Sequence, residues 1–249
     1  MSTPDQAPRV SIVIPARNEA GRLPGTIAEI RRAFPAEEWE FLVVVEPGED
    51  DTEGAAAAAA AGDSRFQIRT NPTAHGKGHA VKTGMLMARG DWVFFMDADL
   101  SVPLRCVGEF LAAAGDADVL MGSRRHPESV IAIRQPAPRE LAGRLFNRVL
   151  RAAGVTRFHD TQCGFKAFRR EAARRIFPKL RQQGFGFDVE VVVLAEVMGF
   201  CIKELPVEWA DAPGSTLRPL RDGIFALRDA VLAARRIRRE YRKVCQHSE

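Results

Sequence analysis

The stretch Trp92-Val-Phe-Phe-Met-Asp-Ala-Asp99 constrains this chain more than any other. Its apolar run is short, as in a strand covered on both faces. Strands of that kind belong to open, mostly parallel sheets layered with helices. The run then releases Asp97 and Asp99. In an extended chain alternate side chains point the same way, so the two carboxylates can converge on one ligand. Open α/β sheets bind ligands beyond the carboxyl ends of their strands. Two carboxylates at such an end suit a hard divalent cation that also holds phosphate oxygens. A plainer reading, with one Asp capping the next helix and the other in solvent, fits the same window.

The chain around this stretch repeats the pattern. Strands are expected over 10–14, 41–45, 66–69, 92–96 and 118–122, with helices over 23–34, 54–61, 80–88 and 104–114. Leu23, Ile27, Ile30 and Phe34 show the helical spacing best. Alternation of this kind implies a parallel sheet with helices on both faces. With 249 residues, 46% of them hydrophobic, the chain can build one large α/β domain or two small ones. Each of four strands runs into polar groups: Arg17, Asn18 and Glu19; Glu46, Glu49, Asp50 and Asp51; Asp97 and Asp99; Ser123 and Arg124. Any one of them reads as a solvated loop charge. Along a single sheet edge they offer acceptors for a base and ribose, then a metal for a diphosphate.

His75-Gly-Lys-Gly-His79 is not a Walker A loop, because the earlier glycine is missing and His79 stands where Ser or Thr belongs. No G-x-G-x-x-G follows the first strand. Both absences argue against a nucleotide triphosphatase and a dinucleotide enzyme. Lys77 can still reach a phosphate, its flanking glycines allowing close backbone approach; a plain turn before a helix fits equally. From 126 to 138 periodicity is lost, with Pro127, Pro136 and Pro138, and a mobile lid is expected. Arg134 and Arg139 lie in or beside it, placed to close on phosphates. A helix over 140–153 carries Asn147. The segment 160–168 is strand-like and dense in polar groups, and its glycine marks a bulge or a close ligand approach. Asp188 and Glu190 open a helix whose dipole they complement. A strand over 200–207 and a loop over 208–216 follow.

A net charge of +4 permits an anionic partner without naming one. Cys106, Cys163, Cys201 and Cys245 are far apart and read as reduced thiols of a cytoplasmic protein. Residues 1–8 lack the apolar core of a signal peptide, and no apolar run approaches the ~20 residues that span a bilayer. Membrane contact is therefore expected to be peripheral. Leu220, Ile224, Leu227 and Val231 recur at helical spacing beside Arg221, Arg228, Arg235 and Arg242. Arg236, Arg238, Arg239 and Lys243 add to the charge. This basic amphipathic helix, over 217–249 behind a domain of 1–216, either lies on an anionic membrane or docks on the domain. Nucleic acid is disfavoured as a partner, since no aromatic platform accompanies the charge.

A set of motifs in sequence order carries a family resemblance. They are Val10-Ser-Ile-Val-Ile-Pro-Ala-Arg-Asn-Glu19, Gly76-Lys-Gly-His-Ala-Val-Lys-Thr-Gly84, Asp97-Ala-Asp-Leu-Ser101 and Gly122-Ser-Arg124. Asp160-Thr-Gln-Cys-Gly-Phe-Lys166, Phe187-Asp-Val-Glu190 and Val207-Glu-Trp209 with Gly214-Ser215 complete it. The chain resembles family 2 glycosyltransferases of the Rossmann-like GT-A fold, in the polyprenyl-phosphate (dolichyl-phosphate) β-glucosyltransferase and mannosyltransferase branch. The Asp160–Lys166 motif looks most like the glucosyl side.

The resemblance implies a metal-dependent, inverting transfer of glucose or mannose from a UDP- or GDP-linked sugar to a polyprenyl-phosphate lipid. Asp97 and Asp99 would hold Mg²⁺ or Mn²⁺ on the donor diphosphate. Pro15, Ala16 and Glu19 would flank the nucleoside, and Glu46 falls near the acidic position that reads the base. There the family usually has Asp-Asp-Gly-Ser and this chain has Val45-Glu-Pro-Gly48, which leaves UDP against GDP open. Arg124 and Lys166 are placed to meet phosphates, and Asp160 and Gln162 to line the sugar and acceptor pocket. For an alcohol acceptor, Asp160 is the candidate base. A soluble or glycan acceptor, and a non-catalytic nucleotide-sugar or nucleic-acid binding module, are the alternatives.

Overall fold

The computed structural model of the chain describes residues 8–184, 186–212 and 219–246. In its first half β1 (Val10–Ala16), α1 (Leu23–Ala33), β2 (Trp39–Val45), α2 (Thr52–Ala60), β3 (Phe66–Thr70), α3 (Lys77–Met87), β4 (Trp92–Met96), α4 (Arg105–Ala113) and β5 (Val119–Ser123) alternate as the patterning requires. The second half holds β6 (Val130–Ile133), α5 (Ala137–Ala152), β7 (Phe165–Arg169), α6 (Arg170–Ile176) and a 3-10 turn (Phe177–Lys179). It continues with α7 (Phe187–Val197), β8 (Ile202–Pro206), β9 (Glu208–Ala210) and α8 (Pro219–Gln246).

Seven strands form one sheet in the order β3-β2-β1-β4-β7-β5-β8. All of its pairings are parallel except those of β7, which runs antiparallel between β4 and β5. Strand periodicity distributes the core. Phe94 packs with Ile12, Ile14 and Phe41 against α1, α2 and α4, while its neighbour Phe95 packs with Val13, Val44 and Phe168 against α3, α6 and α7. Each buried phenylalanine contributes roughly 1.5–3 kcal/mol. The reversed β7 matters most for the site. Its start lies opposite the end of β4, with Phe165 in register with Met96, so the loop before β7 lands beside Asp97.

Two expectations change. Segment 126–138 is not a structureless lid, because β6 within it pairs in parallel with β9, inside the segment expected as a loop. Neither short strand shows alternation, and flanking prolines mask β6 in the sequence. The glycine-rich turn is also shorter than expected, since α3 already starts at Lys77.

Of the two readings of the terminal helix, docking describes the residues seen here. Ala230, Ala233, Ala234 and Ile237 are buried, and Leu227 and Val231 pack on the same core. Arg236 pairs with Glu190, and Arg238 donates to the carbonyls of Gly154 at 2.6 Å and Val155 at 2.9 Å. Arg228, Arg235, Arg239 and Arg242 are exposed. Phe185 and Gly214-Ser215, with the side chains of Leu220, Arg221, Ile224 and Lys243, lie outside the described residues. No described helix is long and apolar enough to cross a membrane.

Candidate active site

Beyond β4 the chain turns sharply through Asp97, Ala98, Asp99 and Leu100. Thr26 of α1 donates to the Ala98 carbonyl at 2.6 Å, and the Ala210 N–H to the Ser101 carbonyl at 2.9 Å. Asp99 accepts the Ser101 N–H at 2.9 Å, a bond that shapes the turn. Leu100 has φ of 52°, and the other positive-φ residue that is not glycine, among those described, is Asn18 after β1, at 57°. A leucine there costs about 1–2 kcal/mol, and strain of this kind collects at functional sites. Asn18 binds the Glu49 N–H at 2.7 Å and so ties the β1 end to the β2 end.

Lys77 comes to this turn from α3. Its Nζ lies 2.5 Å from Asp97 Oδ1. Gly76 has φ of 118°, and a Cβ on Gly78 would fall 2.7 Å from both the Gln182 carbonyl and Phe187 Cβ. The backbone on either side of Lys77 is thus pressed against the segment before α7. Burial works against the Lys77 ammonium, but Asp97, Asp188 and Asp99 outweigh it and raise its pKa above the ordinary lysine value. A cation therefore already sits on Asp97. The opposite oxygen, Oδ2, has room only because residue 164 is glycine: a Cβ there would lie 2.0 Å away. Two carboxylates two residues apart, with Asp97 partly open to solvent, suit a Mg²⁺ or Mn²⁺ ion completed by phosphate oxygens, although the Lys77 ammonium now holds one of them.

Arg124, just past β5, reaches the same crevice. Its Nε and Nη2 grip the two oxygens of Asp160 at 2.7 and 2.8 Å, and its backbone N–H adds a third bond at 3.0 Å. Its guanidinium also stacks over Trp209, 5.5 Å from the ring centre. Trp209 lines a small cavity with Asp97, Ser101 and Gly164. The loop carrying Asp160 is held from two sides: Asn147 of α5 accepts both the N–H and the hydroxyl of Thr161 at 3.1 Å, and Glu204 of β8 accepts the Asp160 N–H at 3.0 Å. Gln162 Nε2 is buried with no hydrogen-bond partner among the described residues.

Burial would raise the Asp160 pKa, but Arg124 outweighs it and holds the carboxyl at about 2, below its ordinary 3.8. Stability from this pair is complete above the ordinary aspartate range and is lost as pH falls through about 2. Asp160→Asn is expected to cost about 2 kcal/mol near neutral pH, and the deficit should close on acidification. Urea unfolding over that range checks this; a deficit independent of pH would show that the pair does not titrate as described.

The residues 11–177 match the model for glycosyl transferase family 2. This chain belongs to glycosyl transferase family 2. It is 32% identical to dolichyl-phosphate beta-glucosyltransferase ALG5C of Trichomonas vaginalis over 84% of this chain and 66% of that one. It is 30% identical to the dolichyl-phosphate beta-glucosyltransferase of Saccharomyces cerevisiae over 90% and 73%. Glycosyltransferase AglD of Haloferax volcanii matches at 32% identity, but this chain spans only 35% of its length. Among solved structures, glucosyl-3-phosphoglycerate synthase of Mycobacterium tuberculosis with Mn²⁺, UDP and glucosyl-3-phosphoglycerate shares the fold, with a TM-score of 0.65, 20% identity and coverage of 91% and 78%. The same synthase has been crystallised with Mg²⁺ and UDP.

In this family 2 glycosyltransferase the remaining expected site residues fall into two groups. Pro15 and Ala16 end β1, which neighbours β4, and Glu19 follows in the connection to α1. Burial raises the Glu19 pKa above the ordinary value; Arg22 opposes this, while Asp99 and Asp50 add to it. Glu46 ends β2, but its carboxylate is turned inward. Its oxygens accept Asn71 Nδ2 at 2.7 Å, the N–H groups of His75 and Gly76 at 2.6 and 3.1 Å, and lie 2.9 Å from His79 Nδ1. These contacts fill its lone pairs, so Glu46 anchors the loop that presents Lys77. Lys166 does not face the crevice. It is fully buried, paired with Asp188 at 2.5 Å and bonded to the Cys163 carbonyl at 2.6 Å. Arg139 pairs with Asp211 at 3.8 Å. Arg134, at the end of β6, is exposed.

From the sequence, Asp188 and Glu190 can complement a helix dipole and belong to a family motif, with no partner named for either. Asp188 neutralises Lys166, and Glu190 accepts the N–H groups of Arg181 and Gln182 at 3.0 and 2.6 Å, fixing the segment against which Gly78 packs. A hydrophobic helix start carrying two acids was the available signal, since acids buried in such a stretch need partners.

Proposed function

We propose that this glycosyltransferase moves glucose from a UDP-linked donor to a polyprenyl phosphate, with inversion and with Mg²⁺ or Mn²⁺. Pro15, Ala16 and the loop held by Glu46 would flank the nucleoside, and Asp97 and Asp99 would hold the ion. When bound, that ion offsets charge developing on the leaving nucleoside diphosphate. Lys77 and Arg124 would add fixed positive charge on either side. Gln162 Nε2, lacking a partner among the described residues, would be a donor for a sugar hydroxyl.

The Arg124–Asp160 pair carries the choice of acceptor. Asp160, the carboxylate that the sequence offers as a base, has both oxygens engaged by Arg124. An alcohol acceptor needs a base; a phosphate monoester is ionised near neutral pH and needs none. Its oxygen bonds to the anomeric carbon as the bond from that carbon to the donor diphosphate breaks on the opposite face. Asp160 then serves to aim Arg124, whose planar guanidinium suits a phosphate.

The apolar part of such an acceptor also has a place to lie. Val130, Ile133, Leu141 and Leu145 are between 57% and 67% exposed on the consecutive elements β6 and α5. Exposed Arg134, Arg144 and Arg148 accompany them. That combination suits an anionic membrane surface better than the docked α8 does. It supports a peripheral position at a membrane surface, in keeping with relatives named for the lipid dolichyl phosphate.

A panel of UDP- and GDP-sugars with Mn²⁺ and a short polyprenyl phosphate tests the proposal. UDP-glucose should give UDP and glucosyl phosphoprenol. Transfer only to soluble alcohols would overturn the acceptor, and activity with GDP-mannose alone would overturn the donor. Leu141→Asp/Leu145→Asp should lower flotation with anionic vesicles by at least about tenfold, given the transfer energy of two leucines. Unchanged flotation would remove the membrane-facing role of α5.

A further inference from the structure

We propose that Lys77 is a resident counter-cation of Asp97, which yields that carboxylate to the divalent ion only when a nucleoside diphosphate arrives, so that metal and donor bind as one coupled event. This rests on the donor-site reading above and adds an order of binding to it. The ammonium lies 2.5 Å from Asp97 Oδ1, on one of the two carboxylates that would hold a divalent ion. Without a donor, the ion has to displace a cation already in contact. A diphosphate changes the balance, because its oxygens give the ammonium another partner while they ligate the metal.

The placement of Lys77 is built into the fold. Lys166, Asp188, Lys77 and Asp97 alternate in charge, with contacts of 2.5 Å at the two ends of the row. Asp188 is neutralised by Lys166 and attracts Lys77 without needing it as a partner. The tight packing of Gly78 on the Gln182 carbonyl and Phe187 limits how far the backbone of Lys77 can retreat. The ammonium therefore exchanges partners by side-chain rotation alone. Lys77 at 21% side-chain exposure and Asp97 at 34% leave that exchange open to solvent.

The test is Mn²⁺ binding followed by electron spin resonance, with and without UDP, on the parent and Lys77→Met. Lys77→Met leaves Asp97 partly solvated and Asp188 still paired, so the fold should survive. The parent should bind Mn²⁺ weakly alone and more tightly with UDP. Lys77→Met should bind Mn²⁺ alone about tenfold more tightly than the parent and show correspondingly weaker coupling to UDP, the size usual for linked sites. Equal donor-free affinity in the two proteins would overturn the proposal. So would a parent whose Mn²⁺ affinity ignores UDP, a measurement that needs no variant. Failure of both proteins to bind Mn²⁺ even with UDP would instead sink the donor-site reading beneath it.

Discussion

Asp99→Ala keeps the fold and transfers sugar about a thousandfold more slowly, or worse. Losing one preorganised electrostatic contact to a leaving group costs roughly 10²–10³ in rate, and Asp99 is half of the carboxylate pair. Its structural part is small: among side-chain bonds, one to the Ser101 N–H at 2.9 Å, worth about 1 kcal/mol. The turn keeps its bonds from Thr26 to the Ala98 carbonyl and from the Ala210 N–H to the Ser101 carbonyl. Steady-state kcat/KM with UDP-glucose, beside thermal melting, separates the two effects. A folded variant within tenfold of the parent would remove the metal role of Asp99. Asp97 is the poorer choice for this experiment, because its loss also strands the Lys77 ammonium.

Lys166→Met should unfold far more easily than the parent, by about 3–5 kcal/mol, the usual cost of leaving one charge of a buried pair uncompensated. Lys166 and Asp188 are both almost inaccessible, and the ammonium also lies 5.1 Å above the centre of the Phe95 ring. For a chain of this size that corresponds to roughly 10 °C in melting temperature. Burial pushes the Asp188 carboxyl above its ordinary value even with Lys166 and Lys77 beside it. Without Lys166 the push is stronger, and a group whose folded pKa is raised loses stability as pH rises. The deficit should therefore be smaller in mild acid than at neutral pH. Replacing both partners, Lys166→Met/Asp188→Leu, should recover most of it, since an apolar pair can substitute for a buried ion pair. A single variant as stable as the parent would mean that this pair does not hold β7 to α7.

These expectations show how unevenly the site could be read in advance. Asp97 and Asp99 were legible because a short apolar strand and the carboxylates at its end are neighbours in sequence. Arg124 and Asp160 stood out as candidates in the sequence, but not as each other's partner. Lys166 was misplaced for a physical reason. A lysine beside a polar motif looks solvated or ligand-facing, and only strand direction decides otherwise. β7 enters antiparallel, with Lys166 opposite Phe95 and Met121, and its side chain turns into the layer beneath α7. The partners of Glu46, Arg236 and Arg238 were hidden for the same reason, since Asn71, His79, Glu190 and Gly154 are distant in sequence.

The sequence by itself determined the alternating strands and helices, the mostly parallel sheet, the polar strand ends and the acidic pair. Each follows from periodicity and turn chemistry within about a dozen residues. The tertiary structure alone decided that β7 reverses, that Gly164 makes room for Asp97, that Lys77 sits on that carboxylate and that α8 docks on the domain. Which charge neutralises which depends on burial and close approach between distant segments. A local pattern sets the direction of a side chain but not what lies a few ångströms beyond it.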